Sequence, residues 1–313
     1  MNALLFPGQG SQVVGMGSEF FENFEIVKKI FSSADEKLDY PLSKLILNGP
    51  ETELQLTKNT QPAILTVSYS IYKVLIEEFN LNLQSFKYFA GHSLGEYSAL
   101  VCSDSLDFLD AIYLLHERGK AMQNAVPVGQ GTMIAVIGTN IKKIKELVKS
   151  LNLKKGICEI ANDNADGQVI ISGDVNSVEE FVKILKTNNI RCIPLKVSAP
   201  FHCSLMKPAA QIMNEKIQNV NFKVPNKEIF TNVNASPEKD PQVIKKLLVD
   251  QIFSTVRWRE SIINMQNNGI SNFIEIGPEK VLTGMVKRTI KNVNCFSINS
   301  IADIKKFNYK FKK

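Results

Sequence analysis

The turn Gly91-His92-Ser93-Leu94-Gly95 constrains the fold of this chain more than any other feature. It matches G-x-S-x-G, a bend in which a strand passes straight into a helix and pushes a serine hydroxyl clear of the backbone. Side chains on the flanking glycines would clash, so those positions tolerate little else. The context is the one the bend needs: Tyr88-Phe89-Ala90 reads as a buried strand, and Glu96 to Val101 opens a helix. That helix presents its N-terminal N–H groups and positive dipole end to negative charge developing at the serine. A nucleophilic Ser93 is therefore favoured over a plain tight turn.

Strands and helices alternate on either side of this bend. Residues 2–6 read as a buried strand followed by the loop Pro7-Gly8-Gln9-Gly10-Ser11-Gln12, with helices near 17–35, 60–80 and 106–125. Such alternation predicts an α/β core with a largely parallel sheet. The middle of the chain changes character. Strands at 133–137, 157–161, 168–172 and 191–197 and helices at 141–151 and 175–187 give the order β-α-β-β-α-β. That is the ferredoxin-like pattern, and it predicts a small subdomain (127–198) inserted into a larger unit made of 1–126 and 199–313. Helices near 206–218, 241–250, 257–268 and 281–290 and strands at 228–232 and 273–276 complete the larger unit.

A serine hydroxyl needs a base, and the chain has three histidines. His92 adjoins Ser93 on the bend, so its ring should point away toward a neighbouring loop. His116 lies beside Glu117 and Lys120 and reads as solvated. His202, at the junction after the insert, is by elimination the better general base, against a plain junction histidine. Arg118 has Leu114, Leu115, Ala121 and Met122 at its helical neighbour positions, so it projects from a buried face. A guanidinium there needs a partner. Either it makes an ion pair within the core, or it clamps the carboxylate of a substrate.

Other signals fall away. No G-K-[ST] follows Pro7-Gly8-Gln9-Gly10, and no G-x-G-x-x-G opens a helix. Asn162, Asp163, Asn164 and Asp166 lack the terminal Glu of a calcium loop and read as a loop between strands. The five cysteines are scattered, which suits reduced thiols in a cytoplasmic setting and argues against structural zinc. The +6 net charge comes mostly from Lys and reflects composition bias first, attraction to an acidic partner second. The tail from Lys305 to Lys313 reads as a frayed, solvated end, not a nucleic-acid stripe. Without a long apolar run, neither membrane nor nucleic acid is an expected partner.

Five segments together resemble the malonyl-CoA:acyl-carrier-protein transacylase family of type II fatty acid synthesis. They are Phe6 to Gln12, Gly91 to Glu96, Arg118-Gly119-Lys120-Ala121-Met122-Gln123, Ala199-Pro200-Phe201-His202-Cys203 and Glu275 to Leu282. They stand in family order across nearly the whole chain. The resemblance implies Ser93 as the acylated nucleophile, His202 as the base and Arg118 as the holder of the malonyl carboxylate. It implies an oxyanion hole from the backbone N–H groups of Gln9 and Leu94. It also implies that the main-chain carbonyl of Gln251 orients the histidine. The implied fold is an α/β-hydrolase-like large subdomain with the ferredoxin-like insert. The implied substrate is malonyl-CoA, the partner an acidic acyl carrier protein bearing phosphopantetheine, with no cofactor and a monomer as the default. Phe201 accompanies malonyl units in related polyketide acyltransferases, while Cys102-Ser103 departs from the family's usual Ala-Gly at a turn. Two rivals share parts of the pattern: an esterase or thioesterase with the same bend, and a non-catalytic module that binds a carrier protein.

Overall fold

The computed structural model describes residues 1–151, 153, 155–197 and 199–311, with side chains as far as Phe307. In chain order the first part runs β1 (Asn2–Phe6), α1 (Ser18–Asn23), α2 (Glu25–Leu38), α3 (Leu42–Asn48), α4 (Glu51–Leu54), α5 (Thr57–Glu77), β2 (Phe86–Gly91), α6 (Gly95–Cys102) and α7 (Phe108–Asn124). The middle holds β3 (Gly131–Ile137), α8 (Ile141–Ser150), β4 (Cys158–Ala165), β5 (Gln168–Asp174), α9 (Val175–Thr187) and β6 (Arg191–Pro194). The last part holds α10 (Lys207–Gln218), β7 (Glu228–Phe230), β8 (Pro237–Glu238), α11 (Pro241–Gln251), α12 (Trp258–Asn267), β9 (Asn272–Ile276), α13 (Val281–Thr289), β10 (Asn294–Ile298) and α14 (Ile301–Phe311).

Two sheets result. The larger has the order β10-β9-β1-β2-β7-β8 and is parallel except for β8, which runs against β7. The smaller has the order β4-β5-β3-β6 and is antiparallel throughout. β1 is buried along its whole length, as expected of a parallel strand covered on both faces. Its alternate residues divide between two cores. Leu4 and Phe6 pack with Leu65 and Leu115, whereas Ala3 and Leu5 pack with Trp258 and Met285. The smaller sheet has its own core, where Ile134 and Val136 meet Ile144 and Phe181 from α8 and α9.

The register of the large sheet decides where chemistry can gather. Phe6 lies opposite Gly91, and the His92 N–H donates to the Phe6 carbonyl at 3.0 Å. The loop after β1 and the bend after β2 thus leave the same edge side by side. On the other side of β2, Ala90 lies opposite Phe230, so the chain after β7 arrives there as well. The C-terminal edge of a parallel sheet is where α/β proteins collect ligands.

Several expectations need correction. The helix expected over 17–35 is two helices, because Phe24 takes extended angles between them. Asn162 to Ala165 are strand and not loop: they continue β4 through two register irregularities. Asp163 there pairs with Arg259 of α12 at 2.9 Å, and among the described residues no acidic or thiol cluster is fit to hold a metal. The frayed tail is instead α14, whose Ile304 and Phe307 sit one helical turn apart in the large core. Lys312 and Lys313 lie outside the described residues, as does Ser198 at the expected end of the insert. Among the described residues no helix is long and apolar enough to cross a membrane.

Candidate active site

The bend after β2 is as tight as its sequence requires. A Cβ on Gly91 would stand 1.9 Å from the Gly95 carbonyl, and one on Gly95 would stand 2.3 Å from the Phe6 carbonyl oxygen. Ser93 takes the left-handed conformation at φ 53°, and its N–H donates to Asn232 Oδ1 at 2.7 Å. His202 also has a left-handed backbone, at φ 58°. Each such residue costs about 1–3 kcal/mol, and such strain clusters where geometry serves function.

The structure brings these two residues together. Ser93 Oγ lies 2.9 Å from His202 Nε2. On the far side of the ring, His202 Nδ1 lies 2.8 Å from the main-chain carbonyl of Gln251, at the end of α11. A carbonyl only accepts, so the ring proton sits on Nδ1, and Nε2 offers its lone pair to the serine hydroxyl. Burial, with the Arg118 charge adding to it, pushes His202 down to about 3. The imidazole is therefore a neutral acceptor at ordinary pH.

Arg118 completes the centre from α7. It is 1% exposed, and Leu114, Leu115, Ala121 and Met122 around it are buried. Gly119 lets α7 lie directly on the start of α5: a Cβ there would stand 2.4 Å from Lys58 Cα. The guanidinium donates to Gln61 Oε1 at 2.7 Å, to Gln251 Oε1 at 2.9 Å and to Ser93 Oγ at 3.2 Å. These acceptors are two amides and a hydroxyl, not a carboxylate, so the ion pair within the core is not what is found. The Nε–H has no acceptor among the described residues. A buried cation with neutral partners, touching Ser93 Oγ, is suited to an incoming carboxylate.

A cavity of about 300 Å³ opens onto this cluster. Gln9 and Leu94 line it together with Ser93, Arg118 and His202, and Met133, Ile170 and Phe201 make part of its wall apolar. Among the described residues the backbone N–H groups of Gln9 and Leu94 have no protein acceptor. Of three larger hollows, those of about 580 Å³ beside β10 and α14 and about 830 Å³ between α7 and α10 contain no imidazole, and one of about 490 Å³ between α8 and β4 reaches His202 but not Ser93 or Arg118.

The other histidines serve the frame. His92 points away from Ser93, as expected: its Nε2 donates to Asn164 Oδ1 at 2.8 Å, and its ring meets Trp258 edge to face. His116 is not simply solvated. It is half-buried, with Nδ1 bonded to the Lys58 carbonyl at 3.0 Å.

Sequence reasoning missed Gln61, Glu96, Asn232 and Asn164. Glu96 and Asn232 are fully buried, and their bonds brace the bend from behind. Two signals were available. Glu96 is an acid at the head of the largely apolar run Tyr97-Ser98-Ala99-Leu100-Val101, and Gln61 closes the polar stretch Thr57-Lys58-Asn59-Thr60-Gln61 that starts α5 just before the apolar Pro62-Ala63-Ile64-Leu65.

Comparison with known proteins gives the family of the whole chain. Residues 3–309 match the acyl transferase domain family. A curated protein of Bacillus subtilis named malonyl CoA-acyl carrier protein transacylase is 41% identical over 298 residues, covering 95% of this chain and 93% of that protein. The solved acyl-carrier-protein-S-malonyltransferase of Bartonella henselae superposes with a TM-score of 0.96 at 40% identity, covering 100% of this chain and 99% of that one. A complex of a holo type II PKS acyl-carrier protein with its malonyl-transacylase contains a chain similar at a TM-score of 0.93 and 38% identity, covering 97% of this chain and 98% of that one.

Proposed function

This chain belongs to the acyl transferase family, and from that membership and the geometry of its centre we propose that it is a malonyltransferase. It moves the malonyl group of malonyl-CoA to the phosphopantetheine thiol of an acyl carrier protein, supplying extender units for fatty acid synthesis. One observation carries the reading. Ser93 Oγ lies within hydrogen-bond reach of a neutral imidazole and of a buried guanidinium that lacks a carboxylate partner.

The reaction follows from those contacts. His202 Nε2 takes the hydroxyl proton as Ser93 Oγ attacks the thioester carbonyl. The resulting oxyanion rests on the N–H groups of Gln9 and Leu94; loss of one such donor typically costs about 3–4 kcal/mol of barrier. The carbon–sulfur bond breaks, and coenzyme A leaves as a thiol with the proton from His202. Malonyl-Ser93 remains, its free carboxylate on Arg118. The carrier's thiol then gives its proton to His202 and attacks the ester, and the steps reverse. Gln251 holds the ring in the tautomer this requires through its main-chain carbonyl.

We read the chain as two subdomains around this centre. The order β4-β5-β3-β6, with two helices between its strands, supports a ferredoxin-like insert over 127–198. The parallel sheet bearing the serine bend supports an α/β-hydrolase-like unit from 1–126 and 199–313. The +6 charge suits an acidic carrier protein.

The test is intact-mass spectrometry after brief exposure to malonyl-CoA, followed by peptide mapping. A malonyl adduct is expected on the peptide holding Ser93 and not in Ser93→Ala. An adduct that persists in the variant overturns the assignment. Thioester consumption that does not depend on carrier protein would point to a hydrolase instead.

A further inference from the structure

Behind the reacting groups lies one buried carboxylate that this reaction does not use. Glu96 stands in the first turn of α6 and is 1% exposed. Its Oε2 accepts the Asn232 N–H at 3.0 Å and Gln251 Nε2 at 2.9 Å. Both partners reach the centre. Asn232 braces Ser93 and Gly91, with Oδ1 accepting the Ser93 N–H and Nδ2 donating to the Gly91 carbonyl at 2.7 Å each. Gln251 Nε2 also reaches the Ser93 carbonyl at 3.1 Å, and its Oε1 accepts Arg118 Nη2 at 2.9 Å.

The Gln251 amide has one workable orientation. Reversed, its oxygen would face the Ser93 carbonyl, Asn232 Oδ1 and Glu96 Oε2, all acceptors. Its nitrogen would then face the guanidinium, a donor. Water cannot repair such a mismatch where every partner is buried. A carboxylate is a costly group to bury for the sake of one backbone N–H. Placed here, it also fixes which end of Gln251 points at the arginine.

We propose that Glu96 is a positioning residue: its carboxylate oxygen orients the Gln251 amide, which holds the Arg118 guanidinium where the free carboxylate of an acyl group on Ser93 must meet it. The proposal rests on the reading of Arg118 as the holder of that carboxylate. Selection for a carboxylated acyl group thus depends on a residue that touches neither substrate nor base.

The experiment compares kcat/KM for malonyl-CoA and acetyl-CoA at pH 8, where Glu96 is ionised, in the unsubstituted protein, Glu96→Ala, Glu96→Gln and Gln251→Met. The ratio of the two values does not depend on how much of a preparation is folded. Glu96→Ala should lower the malonyl-to-acetyl ratio by about tenfold, the worth of one charge-assisted hydrogen bond. Glu96→Gln retains an acceptor oxygen and should keep the ratio within about threefold of the unsubstituted value. Gln251→Met keeps the main-chain carbonyl on His202 but loses the amide, and should fall with Glu96→Ala. A folded Glu96→Ala with an unchanged ratio overturns the proposal, as does a Glu96→Gln that falls as far as Glu96→Ala. Should Glu96→Ala not fold, an unchanged ratio in Gln251→Met overturns it equally. The unsubstituted arm separates the two readings: failure there to load malonyl onto Ser93 refutes the malonyltransferase reading, whereas normal loading with unmoved variant ratios refutes only the role of Glu96.

Discussion

Replacing Arg118 by Met gives the sharpest test of how this site chooses its acyl group. The side chain is 1% exposed, and methionine fills much of its volume without charge. In the proposed intermediate, a carboxylate and the guanidinium meet out of bulk water. At about 4 Å and an effective dielectric of about 20, the attraction is about 4 kcal/mol. Desolvating the carboxylate offsets part of this, and removing one partner of a buried pair costs about 3–5 kcal/mol. A loss near 3 kcal/mol lowers kcat/KM for malonyl-CoA by about 150-fold. Arg118 also donates to Ser93 Oγ at 3.2 Å, so some activity should be lost with any acyl group. Acetyl-CoA has no carboxylate and reports that common loss alone. The decisive quantity is therefore the ratio, measured by transfer to carrier protein from each thioester. A fall of about 100-fold or more in the malonyl-to-acetyl ratio is expected. If both substrates fall by the same factor, Arg118 supports Ser93 and does not select carboxylates.

Three further outcomes test the frame. Burial holds all three imidazoles below their ordinary 6.5, His202 at about 3, so NMR titration should find none with a midpoint above 6.5 and His202 still neutral at pH 5. Below pH 6.5 the unfolded chain then binds more protons than the folded one, so the histidine contribution to stability is full above 6.5 and is lost as pH falls toward 3. Glu96, raised to about 7, acts in the opposite sense, since from 4.5 to 7 the folded state holds the extra proton. Glu96→Gln should therefore make denaturant-measured stability rise more steeply with pH between 4.5 and 6.5; an unchanged slope would mean that the carboxylate is not raised in the folded state. Gly119→Ala would put a Cβ 2.4 Å from Lys58 Cα and 2.6 Å from the Thr57 carbonyl, backbone that cannot swing aside. It should lower Tm and move Arg118 with its helix, reducing malonyl transfer more than acetyl transfer; an unaltered Tm would show that the two helices can slide apart freely.

The parts of this site that were legible in the sequence are those announced by local pattern. Ser93 lies in a bend whose first glycine, Gly91, is required by contact with Gly95 four residues on, whereas Gly95 is required by Phe6 and Pro7 on the neighbouring strand and loop. Arg118 lies among apolar helical neighbours, so its burial could be read from spacing, although its partners could not. The choice between an internal ion pair and a substrate clamp needed Gln61 and Gln251, 57 and 133 residues away. The roles of Glu96 and Asn232 arise only where β2 and β7 run side by side, since a buried polar residue is defined by what the sheet brings to it. Asn162 to Asn164 looked like a loop because polar residues dominate. They are strand because Asp163 meets Arg259 and Asn164 meets His92, partners from the other sheet's layer. The tail misled for the opposite reason: its lysines outnumber Phe307, which together with Ile304 just before the tail anchors α14.

In the proposed reaction, the partner behind His202 bears on which acceptor an acyl group on Ser93 meets. In a serine hydrolase a carboxylate behind the imidazole stabilises the imidazolium. Here the Gln251 carbonyl supplies only a dipole, and Arg118 sets a positive charge on the serine side. Burial and that charge both keep His202 a weak base. In the proposed reaction, a malonyl carboxylate seated on Arg118 offsets the charge and removes its share of the depression. The acyl group that fits the guanidinium thus strengthens the base that must act on it, whereas a neutral acyl group leaves that base weak. The depression that burial leaves in place separates thiol from water in the second half-reaction. A thiol loses its proton with a pKa of about 8.5, against about 15.7 for bulk water, so a feeble base activates the thiol far more readily. In the proposed reaction, transfer is then favoured over hydrolysis by a carbonyl standing where hydrolases place an acid, before any exclusion of water from the cavity is counted.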